Sequence, residues 1–265
     1  MKIGVCMFYD DKVYYYANIN HKINLLYCDK HDLDLIVSNT PQYKNRHAAW
    51  ESVPLMYNNL DSYDYLIWID ADAWVNSWEA IDLYLRGCEK NKLSIATSAD
   101  RAYGRVLRAE WILGSFAKIK SQNYKHAKSS GFSEKIARQV ALKPHLNIGV
   151  FALELNAPHW EVWQKNLKIA LNSGKIWGSE QIAMNVTIYN DELDVEILPA
   201  YCNWTLIQAL KFDEKRNTLV EPYLPNHKIG IVHFAGKNND QIRKNKNYSY
   251  ICIRGRVYEN SSRIR

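Results

Sequence analysis

The chain has 265 residues, of which 47% are hydrophobic and 23% charged, and its formal net charge is +6. This balance excludes wholesale disorder, and no apolar run approaches the roughly 20 residues of a membrane span. Five cysteines without a CxxC pair argue against a disulfide framework or a structural zinc site. With no signal-peptide pattern at the amino terminus, they indicate a cytoplasmic protein.

The first hundred residues alternate between strand-like and helix-like apolar patterns, which is typical of an α/β fold. The predicted elements are strands at 2–8, 33–37, 65–69 and 93–97, with helices at 12–28, 46–60 and 74–85. In the first helix, Tyr16, Ile23 and Leu26 are expected to face the core. Tyr65–Ile69 is apolar at every position, as expected of a central parallel strand covered on both faces.

The second half starts with a basic segment at 100–142, with nine Lys or Arg against three acids. It predicts a helix over 106–119 followed by a mobile loop that can serve as a lid. The later predicted elements are a strand at 146–155, helices at 158–171 and 179–189, and strands at 195–198 and 229–234. We predict one domain over 1–237 and a basic, Tyr-rich segment at 238–265 that packs on it or lies peripheral.

Two acids separated by one residue follow directly after Tyr65–Ile69. In an extended chain Asp70 and Asp72 point the same way and can face one ligand. Ligands of open parallel sheets bind beyond the carboxyl ends of the strands, where this pair is expected. Such close carboxylates repel each other unless a cation lies between them, and oxygen ligands suit Mg²⁺ or Mn²⁺. The alternative is that Asp72 caps the next helix while Asp70 closes a turn.

The segment Ile-Val-His-Phe-Ala-Gly-Lys at 231–237 is the second candidate for a site. His233 at the end of a strand can supply a third metal ligand, and Gly236 and Lys237 can offer a backbone N–H and a cation to phosphates. The alternative is a strand-end histidine that hydrogen-bonds to a backbone carbonyl.

Six short motifs, none specific alone, occur over residues 2–237 in an order that resembles one known family. They are His47-x-x-Trp50 with Val53-Pro54-Leu55, Tyr65–Val75, Leu146–Phe151, Ser179-Glu180-Gln181-x-x-x-Asn185, Leu198–Trp204 and Val232–Lys237. Together they resemble the GT-A glycosyltransferases of family 34, the galactosyl/mannosyltransferase-like group, and its bacterial relatives. The likeness to family 8 is fainter.

The resemblance implies a GT-A fold, an α/β fold with a mostly parallel central sheet, over 1–237. It implies a hexosyltransferase that moves a sugar from a UDP- or GDP-sugar to a hydroxyl of a glycan or lipid-linked saccharide, as in polysaccharide biosynthesis. Asp70 and Asp72 would bind Mn²⁺ or Mg²⁺ with the diphosphate, and His233 would complete the metal shell.

The resemblance also assigns the remaining contacts of the donor. Residues with roles in donor binding would be Tyr9, Asp10, Asp11, Ala71, Gly236 and Lys237. Tyr9 to Asp11 would hold the base and ribose, and Lys237 would neutralise the leaving phosphate. The donor sugar and the reaction centre would be lined by Asn147, Glu180 and Gln181.

The stereochemical outcome stays open between two mechanisms. The resemblance favours retention, for which Glu180 and Gln181 are the nearest groups to the reacting carbon. In an inverting enzyme Glu180 would instead serve as the base for the acceptor hydroxyl. The alternative for Glu180 is a first-turn acid of its own helix.

The sequence departs from the family pattern at one position. Both families place a Lys or Arg 17–18 residues before the first Asp, and that register falls here on Ser52 or Val53, beside Glu51. This departure keeps open a non-catalytic relative that binds a carbohydrate or nucleotide sugar. A sugar-phosphate nucleotidyltransferase is a weaker alternative, because no Gly-rich loop follows the first strand.

Basic residues also bear on the partners of the chain. The segment 228–265 holds nine Lys or Arg against two acids. It can rest on the inner face of an anionic membrane and present the protein to a lipid-linked acceptor, or remain a solvated end segment. No zinc finger, RNA-recognition signature or heptad array indicates a nucleic-acid partner.

Overall fold

The structure, a computed structural model, describes residues 1–43, 48–77, 79–97, 107–112, 115–173, 178–205, 210–222 and 225–235; for 107–112 and 115–120 it describes the backbone only. Its helices are α1 (Tyr14–His31), α2 (Ser52–Tyr57), α3 (Ala80–Cys88), α4 (Gln122–Ser129), α5 (Glu134–Val140), α6 (His159–Ser173) and α7 (Ser179–Tyr189). Its strands are β1 (Ile3–Phe8), β2 (Asp34–Ser38), β3 (Tyr65–Ile69), β4 (Ala73–Val75), β5 (Leu93–Thr97), β6 (Leu107–Ile112), β7 (Ser115–Ser121), β8 (Leu146–Glu154), β9 (Val195–Leu198), β10 (Asn203–Trp204), β11 (Lys211–Asp213), β12 (Thr218–Val220) and β13 (Ile231–His233). No helix in these ranges is both long and apolar enough to span a bilayer.

The central sheet has the strand order β2-β1-β3-β8-β5-β9. Strands β2, β1, β3, β5 and β9 run in one direction, and β8 runs against both of its neighbours. The start of β8 therefore lies at the carboxyl ends of the parallel strands, where Leu146 pairs with Thr97 and Val150 pairs with Ile69. This edge is where such sheets bind ligands.

Apolar residues at every position of β3 are explained by cores on both faces of the sheet. Leu66 and Trp68 pack into one core together with residues of α2, α6 and α7. Ile67 and Ile69 pack into the other, which contains residues of α1 and α3. Successive side chains of a strand point to opposite faces, so one apolar run supplies both cores.

The predicted helix over 74–85 is wrong at its start. Residues 73–75 form β4, which pairs with β13 so that Trp74 lies opposite Val232 and Ala73 opposite His233. A helix, α3, begins only at Ala80. Pairing with a strand more than 150 residues away determines this segment, and local periodicity does not contain that information.

The predicted helix over 106–119 and the mobile loop after it are also wrong. The chain forms an antiparallel hairpin, β6 and β7, followed by the helices α4 and α5. Serine caps define both helices: Ser121 Oγ accepts from Tyr124 N at 3.1 Å, and Ser133 Oγ accepts from Ile136 N at 3.3 Å. The alternation Ala-Lys-Ile-Lys at 117–120 is the strand signal that the helical interpretation missed.

Two further helices differ from their predictions in detail. Instead of one helix over 46–60, a 3-10 turn at Ala48–Glu51 leads into the short α2, and residues 44–47 lie outside the described ranges. In α1, Tyr16 and Ile23 are buried as predicted, whereas Leu26 is exposed. The buried face of α1 instead includes two asparagines, Asn20 and Asn24.

Candidate metal centre and reaction site

The two aspartates meet through a turn rather than through an extended chain. Strand β3 ends at Ile69, and Ala73 N donates to Asp70 O at 2.9 Å, which closes a turn before β4. Asp70 N donates to Gly149 O at 2.8 Å, and Phe234 N donates to Asp72 O at 2.9 Å. The backbone of the turn is thus fixed to β8 on one side and to the end of β13 on the other.

His233 lies against both carboxylates. Its Nε2 is 3.2 Å from Asp72 Oδ1 and 3.6 Å from Asp70 Oδ2. One ligand atom from each of the three residues lies within 4.8 Å of the others. The imidazole is buried, and the two carboxylates are partly exposed. Among the described residues of the cluster, the carboxylates are therefore the groups that a ligand can reach.

A chain of amide groups fixes the tautomer of His233. Gly149 N donates to Asn147 Oδ1 at 2.8 Å, so that oxygen is identified as an acceptor. Asn203 Nδ2 donates to the same oxygen at 3.2 Å, which leaves Asn203 Oδ1 facing His233 Nδ1 at 3.0 Å. His233 Nδ1 must therefore carry a hydrogen, and in the neutral ring Nε2 presents a lone pair toward the carboxylates.

The negative charge of the two carboxylates in this cluster favours the binding of a cation. Burial raises the pKa of Asp70, and the charge of Asp72 raises it further, while His233 and a hydrogen bond from Trp68 oppose this. Trp68 Nε1 donates to Asp70 Oδ1 at 2.7 Å. Two carboxylates and one imidazole lone pair are mutually repulsive unless a proton or a metal ion lies between them.

The donor set fits a divalent metal ion. Carboxylate oxygens are the preferred ligands of Mg²⁺ and Mn²⁺, and a neutral imidazole nitrogen is a common third ligand for transition metals. Asn203 donates no hydrogen to His233 and instead accepts one, which is the usual outer-shell arrangement around a metal-binding histidine. Asp70, Asp72 and His233 would hold the ion.

Two buried asparagines of α1 support the turn that carries the aspartates and the strand that follows it. Asn20 Nδ2 donates to Ala71 O at 2.8 Å, and Asn24 Nδ2 donates to Ala73 O at 3.2 Å. Asn24 Oδ1 also accepts from Val75 N at 3.0 Å. These residues were not predicted as part of the site. Their spacing of four on a buried helix face is the signal that was available in the sequence.

Glu180 lies in the first turn of α7, which follows Gly178 in the left-handed region at φ +90°. The side chain is buried, and its Oε2 has no hydrogen-bond partner among the described residues. Burial raises the pKa of Glu180 to about 7; nearby Asp70 raises it as well, and backbone N–H groups of Glu180 and Gly178 lower it. Near neutral pH this carboxyl can therefore hold or release a proton.

Gln181 follows Glu180 and is partly exposed. Its Nε2 donates to Leu146 O at 2.8 Å and contacts His145 Nε2. Asn147, the other predicted reaction-centre residue, is part of the amide chain behind His233. The structure thus links Asn147 to His233 through Asn203 and places Gln181 beside the start of β8.

The residues predicted to contact the base and ribose, Tyr9 to Asp11, follow the end of β1. They lie at the same edge of the sheet as the two aspartates. Tyr9 is mostly buried, and its hydroxyl is 2.8 Å from His21 Nδ1. Asp10 Oδ1 accepts from Lys12 N at 3.1 Å, and Asp11 is exposed. Gly236 and Lys237 lie outside the described residues.

The positions where the family places a basic residue are closed to a ligand. Ser52 and Val53 are each 1% exposed. The neighbouring Glu51 is buried too, and its carboxylate accepts from Gln42 N and Tyr43 N, both at 2.8 Å. Glu51 therefore holds the loop before α2, and α2 supplies no cation here.

Glu180→Gln is expected to make stability less dependent on pH. Between pH 4.5 and 7 the folded protein keeps a proton that the unfolded chain has lost, so wild-type stability falls as the pH rises through this window. The variant does not lose stability in this way. Its free energy of unfolding should exceed that of the wild type by up to about 3 kcal/mol at pH 8 but not at pH 4. Thermal unfolding at both pH values measures the difference. An equal stability difference between variant and wild type at pH 4 and at pH 8 would contradict the raised pKa of Glu180.

Among the solved structures that resemble this chain, one aligns with nearly its whole length. A glycosyltransferase involved in the glycosylation of the major capsid of PBCV-1 aligns with 95% of this chain and 100% of its own, at 14% identity and a TM-score of 0.56. This similarity concerns the fold, which is the predicted GT-A α/β fold with a mostly parallel central sheet.

Weaker likenesses are found to two structures of the galactosyltransferase LgtC, a complex with donor and acceptor sugar analogs and an active-site mutant. They align with 88% of this chain, and with 87% and 88% of their own, at 10% and 9% identity and a TM-score of 0.49 each. No protein-family model matches the sequence, and a search of curated proteins finds no match.

Proposed function

We propose that this protein is a metal-dependent glycosyltransferase that moves a hexose from a nucleotide-diphosphate sugar, a UDP- or GDP-sugar, to a hydroxyl of a glycan or lipid-linked saccharide. The observation that carries the proposal is the cluster of Asp70, Asp72 and His233 at the ligand edge of the sheet, with the histidine lone pair turned toward both acids. The fold shared with a glycosyltransferase and the six ordered motifs support it, and the motifs extend the proposal to family 34.

In the proposed reaction the bond between the anomeric carbon and the phosphate oxygen breaks, and its electron pair leaves with the nucleoside diphosphate. A new bond forms between that carbon and the acceptor oxygen, which loses its proton. A Mn²⁺ or Mg²⁺ ion, when bound, would stabilise the charge that develops on the diphosphate.

The chain's own residues would orient the donor around that ion. Asp70 and Asp72 fix the position of the cluster through the turn that joins β3 to β4. Asn203 keeps a hydrogen on His233 Nδ1, so Nε2 stays available as a ligand. Buried Glu180, with a pKa near 7, would hold a proton at a sugar hydroxyl or accept one from the acceptor.

The proposal includes partners and a location. The donor is a nucleotide sugar, and peripheral membrane contact through the basic segment 238–265 would bring a lipid-linked acceptor close on the cytoplasmic side. A non-catalytic relative that only binds nucleotide sugars is the second candidate. This second candidate is favoured because Ser52 and Val53 are buried. They stand where the resembled families have a basic residue that contacts the donor.

A thermal-shift screen tests the proposal directly. UDP-glucose, UDP-galactose, GDP-mannose and the free diphosphates are each added to the full chain with Mn²⁺ or with EDTA. A ligand that binds the native state raises its melting temperature, by RT ln(1 + [L]/Kd) in free energy. We expect at least one nucleotide sugar to shift the melting temperature with Mn²⁺ and not with EDTA.

Release of UDP or GDP then separates the two candidates. Turnover with Mn²⁺ supports the transferase, whereas a shift without turnover toward water or any saccharide supports the binding protein. The absence of a shift with every nucleotide, with Mn²⁺ present, would contradict both.

A further inference from the structure

Three side chains from three different parts of the chain form a hydrogen-bonded line at the start of β8. Asn123 lies on α4, His145 immediately precedes β8, and Gln181 lies in the first turn of α7. Asn123 and His145 are buried, and Gln181 is partly exposed. Neither Asn123 nor His145 belongs to any motif from which the function was proposed.

The first link of this line fixes the orientation of the Asn123 amide. Its Nδ2 donates to Lys143 O at 2.9 Å and to Val140 O at 3.3 Å. Both partners are carbonyl oxygens, which only accept, so the nitrogen must face them. Asn123 Oδ1 is then the atom that meets His145 Nδ1, at 2.7 Å.

The second link fixes the tautomer of His145. Because Asn123 Oδ1 can only accept, His145 Nδ1 must donate and therefore carries a hydrogen. In the neutral ring the other nitrogen, Nε2, is an acceptor. It contacts Gln181 Nε2, which is a donor.

In the third link, both hydrogens of the Gln181 amide group take part in hydrogen bonds. One goes to His145 Nε2, and the other goes to Leu146 O at 2.8 Å. The carbonyl oxygen Oε1 has no hydrogen-bond partner among the described residues. Gln181 therefore offers an acceptor and no donor to whatever binds beside it.

We propose that Asn123 and His145 are positioning residues that hold Gln181 with Oε1 presented to the donor sugar, so that Gln181 recognises a sugar hydroxyl as an acceptor only. The proposal rests on the proposed transferase function and deepens it. A glutamine that rotated freely would offer either its oxygen or its amino group, and the sugar hydroxyl would donate in one orientation and accept in the other. A fixed Oε1 always receives the hydrogen of the hydroxyl and so holds the sugar in one hydrogen-bonding arrangement.

A double-mutant cycle measures whether His145 acts through Gln181. The four proteins are the wild type, His145→Leu, Gln181→Ala and the double variant, assayed by release of UDP or GDP from the nucleotide sugar found in the screen. We expect His145→Leu to lower kcat by about 10- to 100-fold, as for lost outer-shell contacts, and KM by less than about threefold. In the Gln181→Ala background the same change should cost less than about twofold.

The conservative variant His145→Gln separates positioning from folding. A glutamine oxygen can take the place of Nε2 and accept from Gln181, so we expect turnover to return to within about threefold of the wild type. The inference is overturned if His145→Leu costs as much without Gln181 as with it, or if His145→Gln, folded by circular dichroism, is as impaired as His145→Leu.

A measurement without substrate keeps the inference independent of the proposed function. Long-range ¹H–¹⁵N spectra at pH 7.5 should show His145 with Nδ1 protonated and Nε2 unprotonated, and Asn123→Ala should give a mixture of tautomers. The opposite tautomer or a charged ring in the wild type overturns the inference. If no nucleotide sugar is turned over, the proposed function fails while this spectrum still decides how Gln181 is held.

Discussion

Asp70→Asn and Asp72→Asn are each expected to lower turnover of the nucleotide sugar by at least about 100-fold and to abolish the Mn²⁺-dependent rise in melting temperature. Each change removes one negative ligand from a cluster in which the ligand atoms lie within 4.8 Å of one another. Folding should persist, because an asparagine at 70 still accepts from Trp68 Nε1 and the turn is held by backbone hydrogen bonds. Calorimetric titration with Mn²⁺ measures binding apart from turnover.

Asp61→Asn is the matched control for these variants. Asp61 is an exposed aspartate ahead of β3, at the opposite end of the strand from the cluster. Its neutralisation should leave Mn²⁺ binding and turnover within about twofold of the wild type, as is usual for exposed surface positions. Full turnover by Asp70→Asn or Asp72→Asn, or full activity in EDTA, would remove the metal from the mechanism.

Gly149→Ala is expected to disable the site through His233. A Cβ added at Gly149 would lie 2.0 Å from His233 Cε1, so the imidazole must shift from its place beside the carboxylates. Overpacking of this kind costs about 1–3 kcal/mol of stability. We expect Mn²⁺ affinity and turnover each to fall by at least about tenfold, as they do when metal ligands lose their orientation.

The double variant Gly149→Ala with His233→Ala tests this cause. Removing the imidazole removes the clash, so the stability lost in Gly149→Ala should not add to that of His233→Ala. Equal and additive losses in thermal unfolding would show that Gly149 acts on something other than His233. Unchanged Mn²⁺ affinity in Gly149→Ala would show that the site tolerates a displaced histidine.

Local patterns in the sequence were sufficient for the frame of the fold. Tyr65–Ile69 and Ser179–Tyr189 lie where apolar runs and helical spacing predicted them. Asp70 and Asp72 were located because buried central strands lead to the ligand edge of a parallel sheet. Their convergence with His233 came from the resemblance, since strands β3 and β13 are far apart in the chain.

The errors have a common physical origin in long-range pairing. Residues 73–75 become a strand because β13 pairs with them, and residues 107–112 become a strand because 115–121 pair with them. The local hydrophobic pattern shows which side of a segment is buried, but it does not show which distant strand pairs with that segment. For the same reason buried amides such as Asn20, Asn203 and Asn123 were missed: their importance lies in which carbonyl or amide they meet.

The reversed direction of β8 has a consequence for how such a protein can change. Thr97 and Leu146 are paired neighbours, so the connection between them begins and ends at a single place in the sheet. A longer or rebuilt connection leaves the register of the strands in the sheet unchanged. The entropic cost of closing a loop also grows only slowly with its length. Evolution can therefore rebuild the chain at this edge of the sheet while the sheet and the cluster of Asp70, Asp72 and His233 stay unchanged.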